Sequence, residues 1–298
     1  MANNDLTIVH RYRRLSRWFG HGSVLRRATR RKINAVALVV IIVGLFAAIA
    51  APIVAPMDPY STNLRNTHQP PSTEHFLGTD EIGRDILSRL LYGARVSIQV
   101  GFVAVAISHG IGIVLGLLSG FRGGIVDEVI MRFMDALIVI PPLVLALAIA
   151  SVLGPSLINV MIAIGIVGIA APARLIRGQV LAVREFDYVL AARSIGSPGT
   201  RIAFLHMLPN TLAPLIVSAT LGVATAIITE ASLSFLGVGI QPPAASWGAM
   251  LQAGYGYLER NLVESFAPGL SIFAVVLSVN LLGDGLREAL DPRLRGTN

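Results

Sequence analysis

The sequence predicts an all-α polytopic membrane protein with six transmembrane helices and cytoplasmic N- and C-termini. Three observations lead to that class. Of the 298 residues, 54% are hydrophobic and only 14% are charged, with a mean hydropathy of +0.69; a water-soluble domain of that composition would expose far too much apolar surface. Six stretches match the length of about 20 apolar residues that crosses about 30 Å of hydrocarbon at about 1.5 Å per residue: 33–55, 96–119, 126–153, 157–176, 211–233 and 265–283. Finally, the basic residues flank these stretches. With the N-terminus inside and six crossings, 19 of the 24 Lys and Arg residues fall on the inner side and only Arg65, Arg84, Arg89, Arg95 and Arg260 outside, as the positive-inside rule requires.

Taken in order, residues 1–32 form a basic cytoplasmic arm ending in Arg26, Arg27, Arg30, Arg31 and Lys32. Three roles stand open for it: binding anionic lipid, packing on a partner, or fixing orientation alone. The run 33–55 exceeds the roughly 7–15 residues of a signal h-region and follows a long arm, so it reads as a retained anchor. It belongs with the external loop in a unit covering 33–95. From about Thr79 that loop is expected to form a surface helix, with acidic residues in its first turn and Ile82, Ile86, Leu87, Leu90 and Leu91 on one face. The core unit, 96–286, holds five crossings. Pro141 and Pro142 should kink the third, and Gly154, Pro155 and Ser156 turn it into the fourth as a hairpin. A second long external connection covers 234–264, and 287–298 is a cytoplasmic tail.

The same residues exclude several functions. There is no cysteine, so disulfides and thiol chemistry are out. Lys32 is the single lysine, so no GxxxxGK[ST] phosphate loop exists, and any ATP must be used by another subunit. HExxH is missing, and no plausible Ser with a His in a facing span is expected, which argues against an intramembrane enzyme. The formal net charge of +7 sits beside apolar runs rather than on a folded polar face, which argues against nucleic acid. An autonomous channel or secondary transporter would place ion ligands at mid-membrane, whereas the carboxylates here lie toward the span ends.

Charges in or near spans cost at least about 2.5–3.5 kcal/mol and need an account. Asp135 and Asp284 each have an arginine one helical turn away, Arg132 and Arg287, and are expected to pair with them. Glu230 lies 19 residues beyond Thr211, near the outer mouth. It is either a group lining or gating a path, together with Ser234, Gln241 and Trp247, or an interfacial carboxylate bonded near Ser232 or Ser234. His109 is either a satisfied core histidine or part of that path.

The polar stretch YVLAARSIGSPGTRIAFLHMLPN, 188–210, lies on the inner side between the fourth and fifth crossings. It reads as a short helix over 186–195 ended by Gly196, Pro198 and Gly199. Ala191, Ala192 and Gly196 leave a face of little bulk, either a docking surface or the filler of a plain connector. The segment resembles the cytoplasmic loop of ABC importer permeases, in which E-A-A is followed after three residues by G and, after nine more, by I-x-L-P. Ala191, Ala192, Gly196, Leu208 and Pro209 fall on that spacing, with Leu190 in place of the Glu and His206 in place of the Ile. HFLGTDEIGRDILSRLLYGARVS at 75–97, GGIVDEVIMRFMDALIVIPP at 123–142, EASLSFLGVGIQPP at 230–243 and NLLGDGLREALDPRLR at 280–295 are similar to the second permease subunit of the dipeptide/oligopeptide/nickel family.

That resemblance covers 33–295. It implies the ABC type I importer permease fold in a prokaryotic inner or plasma membrane. It also implies a binding-protein-dependent importer of di- or oligopeptides, or else of nickel or another small solute. Its partners would be a homologous permease, two ATP-binding cassette subunits carrying ATP and Mg, and an external substrate-binding protein; the chain itself would hold no cofactor, metal or catalytic residue. The loop at about 184–209 would be the coupling helix, docking on an ATPase through Ala191, Ala192, Arg193, Ser194, Gly196 and Pro198. Arg84, Asp85 and Arg89 would face the binding protein or simply stabilise the membrane interface.

Overall fold

The computed structural model describes residues 24–290, and the regular elements among them are helices. A short α1 (Val24–Ala28) precedes α2 (Lys32–Val54). The exposed side chains of α2 are bulky, among them Val36, Val43, Phe46 and Ile53, whereas its buried ones are Asn34, Ala37, Ala48 and Ala51. Small residues against the bundle and large apolar ones outward suit a helix packed in lipid.

Helix α3 (Ile86–Arg122) runs 37 residues without interruption. The expected surface helix from Thr79 and the second crossing are therefore one helix. Residues 79–85 form a turn instead, closed by a bridge between Thr79 and Asp85, with Gly83 at φ +77°. The helix starts where the Asp85 carboxylate accepts the Ser88 amide at 2.8 Å, an N-cap that satisfies one orphan donor. No proline or turn separates Arg95 from Val96, so the helix propagates. Farther in, Gly112, Gly116 and Gly120 face α7 (Ala170–Val183). A Cβ on Gly112 would lie 2.7 Å from Pro172 Cγ and one on Gly120 2.9 Å from Val180 Cβ. The close approach of the two backbones depends on those missing side chains.

The third apolar stretch holds α4 (Gly124–Val139) and α5 (Pro142–Leu153), whose axes differ by 94°. The two prolines do more than kink this crossing. Ile140 and Pro141 are extended, Pro142 offers no amide, and the helical ladder stops. Helix α6 (Leu157–Val167), capped by Ser156, leads through Gly168 into α7. The inner loop holds α8 (Asp187–Ser194); α9 (Gly199–Phe235), with a π-helical stretch at Ile202–Met207, then α10 (Trp247–Tyr255) and α11 (Leu262–Leu290) follow. Helices α2, α3, α6 with α7, α9 and α11 are each long and apolar enough to cross a membrane, and α4 with α5 makes a sixth, broken crossing.

Contacts between helix ends fix which loops share a side. Asn34 Nδ2 donates to the Ala28 carbonyl at 2.7 Å, and Arg31 pairs with Glu288 at 3.0 Å, so the two ends of the described chain lie together. At the opposite end, Asn261 Nδ2 donates to the Thr79 carbonyl at 3.2 Å, joining the two long loops. Helix α8 lies with the termini, because Arg193 sits 6.0 Å from the ring of Phe121 at the inner end of α3.

The ion pairs within the bundle differ from the expected ones. Asp135 pairs with Arg174 of α7, not with Arg132, which points outward beside Glu128 at 4.0 Å. Among the described residues no ion pair joins Asp284 to Arg287. Interhelical packing, not spacing along one helix, chooses the partner. Arg177 adds a second tie between α7 and α4, holding Asp127 through Nε at 2.5 Å and Nη2 at 2.6 Å.

Candidate functional site

Helices α3, α4, α6, α7, α9 and α11, with Pro142 at the start of α5, line a half-open cavity of about 1050 Å³. Most of its wall is apolar. One face of α9 contributes hydroxyls, Ser218, Thr225 and Thr229, spaced seven and four residues apart and so aligned on one side of the helix. Thr225 and Thr229 donate to the carbonyls four residues earlier, at 3.2 and 2.9 Å, leaving only oxygen lone pairs toward the cavity. His109 of α3 faces them, with Nε2 3.3 Å from Ser218 Oγ and Nδ1 3.2 Å from Ser108 Oγ, so a Ser does meet a His across facing spans, contrary to the sequence expectation. Toward the inner end stand Gln179, Asn210 and Arg287, the last being the sole fixed charge among the described lining residues. A wall of this kind offers weak, exchangeable polar contacts and no deep electrostatic trap, which suits passage rather than retention.

The residues expected to line a path lie elsewhere. Glu230 is 0% exposed, and Ser234 and Trp247 are buried with it. The Glu230 carboxylate accepts from Ser234 Oγ at 2.8 Å and Ser97 Oγ at 3.3 Å, while Trp247 Nε1 donates to the Leu90 carbonyl at 2.9 Å. These groups knit α3, α9 and α10, and Gly93 makes room for the indole, since a Cβ there would lie 2.7 Å from Trp247 Cδ1. Gln241 is exposed on the outer loop, its Nε2 donating to the Gly237 carbonyl at 2.8 Å. Of the two readings of Glu230, the hydrogen-bonded one stands, in a packed seam rather than at an interface. His109 lines the cavity with both ring nitrogens partnered by hydroxyls. The sequence signal for this wall was the hydroxyl repeat on the fifth crossing, which charge-based reasoning passes over.

Arg84, Asp85 and Arg89 are also corrected. They are 5%, 2% and 4% exposed and so present no outward face. Arg84 holds Asp80 at 2.6 Å and Glu81 at 2.8 Å, Arg89 donates to the Pro59 carbonyl at 3.1 Å, and Asp85 takes His75 Nδ1 at 3.0 Å besides capping α3. An amphipathic-helix picture put them outside; the turn at 79–85 folds them under the loop.

The inner helix comes out close to its sequence boundaries. Helix α8 ends with Gly196 at φ +73°, whose amide donates to the Arg193 carbonyl at 2.9 Å, while the Ser197 amide donates to the Ala192 carbonyl at 3.1 Å. That pair of bonds is a Schellman cap, which glycine alone adopts without strain. Ala191, Arg193, Ser194, Gly196 and Pro198 are exposed as a docking face requires, but Ala192 is 6% exposed and packs inward with Val189, Ile176 and Met207. Two large apolar side chains complete the outward surface instead: Leu190, at the position of the pattern's Glu, and Ile195, 81% exposed.

Comparison with known proteins adds three findings. Residues 112–296 match the family described as binding-protein-dependent transport system inner membrane component, and residues 22–71 match the N-terminal TM domain of oligopeptide transport permease C. The chain is 44% identical over 270 residues to the dipeptide transport system permease protein DppC of Alkalihalophilus pseudofirmus, covering 91% of this chain and 89% of that one. It is 48% identical over 257 residues to the di/tripeptide transport system permease protein DppC of Pseudomonas aeruginosa, covering 84% and 85%. Against the oligopeptide transport system permease protein OppC of Bacillus subtilis it is 42% identical over 269 residues, covering 90% and 88%. In fold it is similar to a chain of the MetNI methionine ABC transporter in inward-facing conformations, with a TM-score of 0.52, 20% sequence identity, and coverage of 68% of this chain and 96% of that one.

Proposed function

The chain belongs to the family of binding-protein-dependent transport system inner membrane components, and on that premise we propose that it carries di- or oligopeptides as the second permease of an importer. It is a multi-pass inner-membrane permease that works with a further permease, an ATPase and a substrate-binding protein. Peptides as cargo are supported by the relatives, which are named for dipeptides, di/tripeptides and oligopeptides. The assembly we propose has one homologous permease, two ATPases that bind ATP and Mg, and an external binding protein; this chain contributes half the pathway and no nucleotide site.

The observation that carries the coupling role is the placement of α8. It lies on the inner side with the termini, and its own core face is packed while Leu190, Ala191, Ser194, Ile195 and Gly196 are exposed, as is Arg193 where it reaches over the Phe121 ring. Seated in an ATPase groove, this surface would receive the movement of nucleotide-driven closure. Val189 and Ala192 anchor it to Ile176, Val180 and Met207, so α8 and the inner ends of α7 and α9 travel as one body. Driving the membrane half from 1:99 to 99:1 requires about 5.5 kcal/mol of differential binding, which a loosely tethered connector would not transmit. The cavity beside the hydroxyl face of α9 would be this chain's share of the route, and the binding protein would meet the outer loops at 56–85 and 236–261.

The test is reconstitution. With the partner permease, the ATPases and the binding protein in one membrane, peptide-loaded binding protein should raise ATP hydrolysis and drive uptake of labelled peptide. Uptake by this chain alone, or a complex indifferent to loaded binding protein, would refute the proposal.

A further inference from the structure

The outer face contains a cluster of buried charge with no part in the route or in coupling. Its centre is Glu264, in the first turn of α11 and 3% exposed. One carboxyl oxygen, Oε2, lies 3.2 Å from His68 Nδ1; the other, Oε1, is buried with no hydrogen-bond partner. Glu81 Oε2 and the hydroxyl of Ser265 are buried and unpartnered as well. Glu81 and Glu264 share the lining of a void of about 10 Å³ with Asp80, Arg84 and Arg89, room for at most about one water molecule.

The charges there do not balance. Asp80 is saturated with donors: Oδ1 accepts the amides of Ile82 at 3.1 Å and Arg84 at 2.9 Å, and Oδ2 faces Arg84 Nε at 2.6 Å and Arg89 Nε at 3.4 Å. Glu81 Oε1 takes Arg84 Nη2 at 2.8 Å. Both guanidinium groups are thus occupied by Asp80 and Glu81, and neither is paired with Glu264. Three carboxyls, with only the Glu81 side chain partly exposed, face two guanidiniums, a situation in which lost hydration and like-charge repulsion push a proton onto one carboxyl. The other elements packed there bring no compensating charge. Helix α10 contributes Met250, Ala253 and Gly254, and the turn before α11 contributes the ring of Tyr257, stacked 4.4 Å from His68.

His68 is itself held unusually. Its φ of +52° is left-handed for a residue with a side chain, and its amide donates to the Asp80 carbonyl at 3.1 Å. Strained backbone of this sort persists only where neighbouring contacts over-determine it. The contacts here are Tyr257 and Glu264, so the pair fastens the loop between α2 and α3 to the outer end of α11.

We propose that the His68–Glu264 pair holds one proton drawn from the external medium, and that this proton latches the 56–85 loop onto α11. With Glu264 neutral, its O–H donates to Nδ1; with the proton transferred, Nδ1–H donates to Oε2. The total charge of the pair is zero in both. Loss of the proton leaves a carboxylate facing Asp80 and Glu81, and the latch loosens. The inference rests on the outward orientation of this end of the bundle.

The experiment uses the assembled transporter in lipid nanodiscs, followed by amide hydrogen exchange over 63–83 between about pH 6 and about pH 9. Each rate is taken relative to Glu264→Gln at the same pH. That variant keeps a donor toward Nδ1 and cannot titrate. As the pH rises toward the midpoint, relative protection in the wild type should fall by up to about tenfold per pH unit and level off above it, while His68→Asn, which tolerates left-handed backbone but removes the latch partner, should be less protected than the wild type at the acid end. Parallel profiles for wild type and Glu264→Gln would overturn the proposal. So would loss of protection in Glu264→Gln at every pH, which would mean an ionised carboxylate bridged by water, or a wild-type profile that changes when sodium is replaced by choline, which would mean a bound cation. ATP hydrolysis stimulated by loaded binding protein is measured on the same samples. Its absence in every sample would sink the importer role without touching the exchange result.

Discussion

Replacing Gly196 with alanine isolates what the end of α8 demands of the backbone. A Cβ at this position meets nothing within 4 Å, so the substitution introduces no clash inside the chain. What it disturbs is the conformation, since φ is +73°. Left-handed backbone costs an L-residue about 1–2 kcal/mol, which changes the population of the capped end about 5- to 30-fold. If the full cost falls on the docked state, it removes about a fifth to a third of the roughly 5.5 kcal/mol that a complete switch needs. Gly196→Asn is the control, because asparagine enters the left-handed region far more readily. The assay is ATP hydrolysis by the assembled transporter, with and without loaded binding protein, normalised to the amount of this chain in the complex. Stimulation should follow the order glycine, then asparagine, then alanine. Equal stimulation in all three would mean that the cap does not transmit the movement, and equal loss in both variants would mean that the contact needs a bare backbone for steric reasons. Either result refutes the conformational argument.

Three further outcomes follow from the packing. Ala192→Arg should lower the yield of folded protein in the membrane, because Ala192 is buried against Val189 and Met207; Ile195→Asp, at an exposed position, should leave the yield unchanged and weaken co-purification of the ATPases. Glu230→Ala should destabilise the chain by about 2–5 kcal/mol, from the volume removed and the hydroxyls left unpaired, with uptake per folded molecule within about twofold of wild type; a thermal melt in detergent and a transport assay check the two halves, and a large fall in uptake by the folded fraction would restore a path-lining role. Asp127→Arg should depress stimulated ATP hydrolysis by breaking the bidentate pair with Arg177, and the exchange Asp127→Arg with Arg177→Asp should recover part of it; no recovery would mean that the pair does not carry the coupling.

Hydropathy and the placement of arginines were enough to find the crossings, because both follow directly from the cost of putting polar groups in hydrocarbon. The end of α8 was equally readable, since Gly196, Pro198 and Gly199 act locally. What went wrong depended on contacts between distant segments. Arg84, Asp85 and Arg89 looked like the polar face of a helix until the loop at 56–85 closed over them with its own backbone hydrogen bonds, such as Asn63 N to Ile82 O at 3.1 Å. Asp135 had a plausible partner at i−3, yet α7 brought a better placed arginine from 39 residues away. Glu230 attracted attention as a charge, although Ser97 and Ser234 satisfy it, while the hydroxyls that do line the cavity carry no charge and so gave no energetic signal.

On the proposed coupling role, the two ion pairs between α4 and α7 would join these elements into one mechanical route. Helix α8 follows α7 after a three-residue turn and shares its core, so a push on α8 is a push on the inner half of α7. Asp127 with Arg177 and Asp135 with Arg174 bind α4 to that half at two points, so α4 cannot slide independently. Its far end is the Pro141–Pro142 break, where the chain turns by 94° and where Leu137, Ile138 and Pro142 form part of the cavity wall. A continuous helix would have carried the displacement past the cavity to the outer membrane face. The break would end it at the wall instead, so that the inner half, moving together with the inner end of α9, would shift while the seam of Glu230, Ser97 and Trp247 holds the outer half fixed.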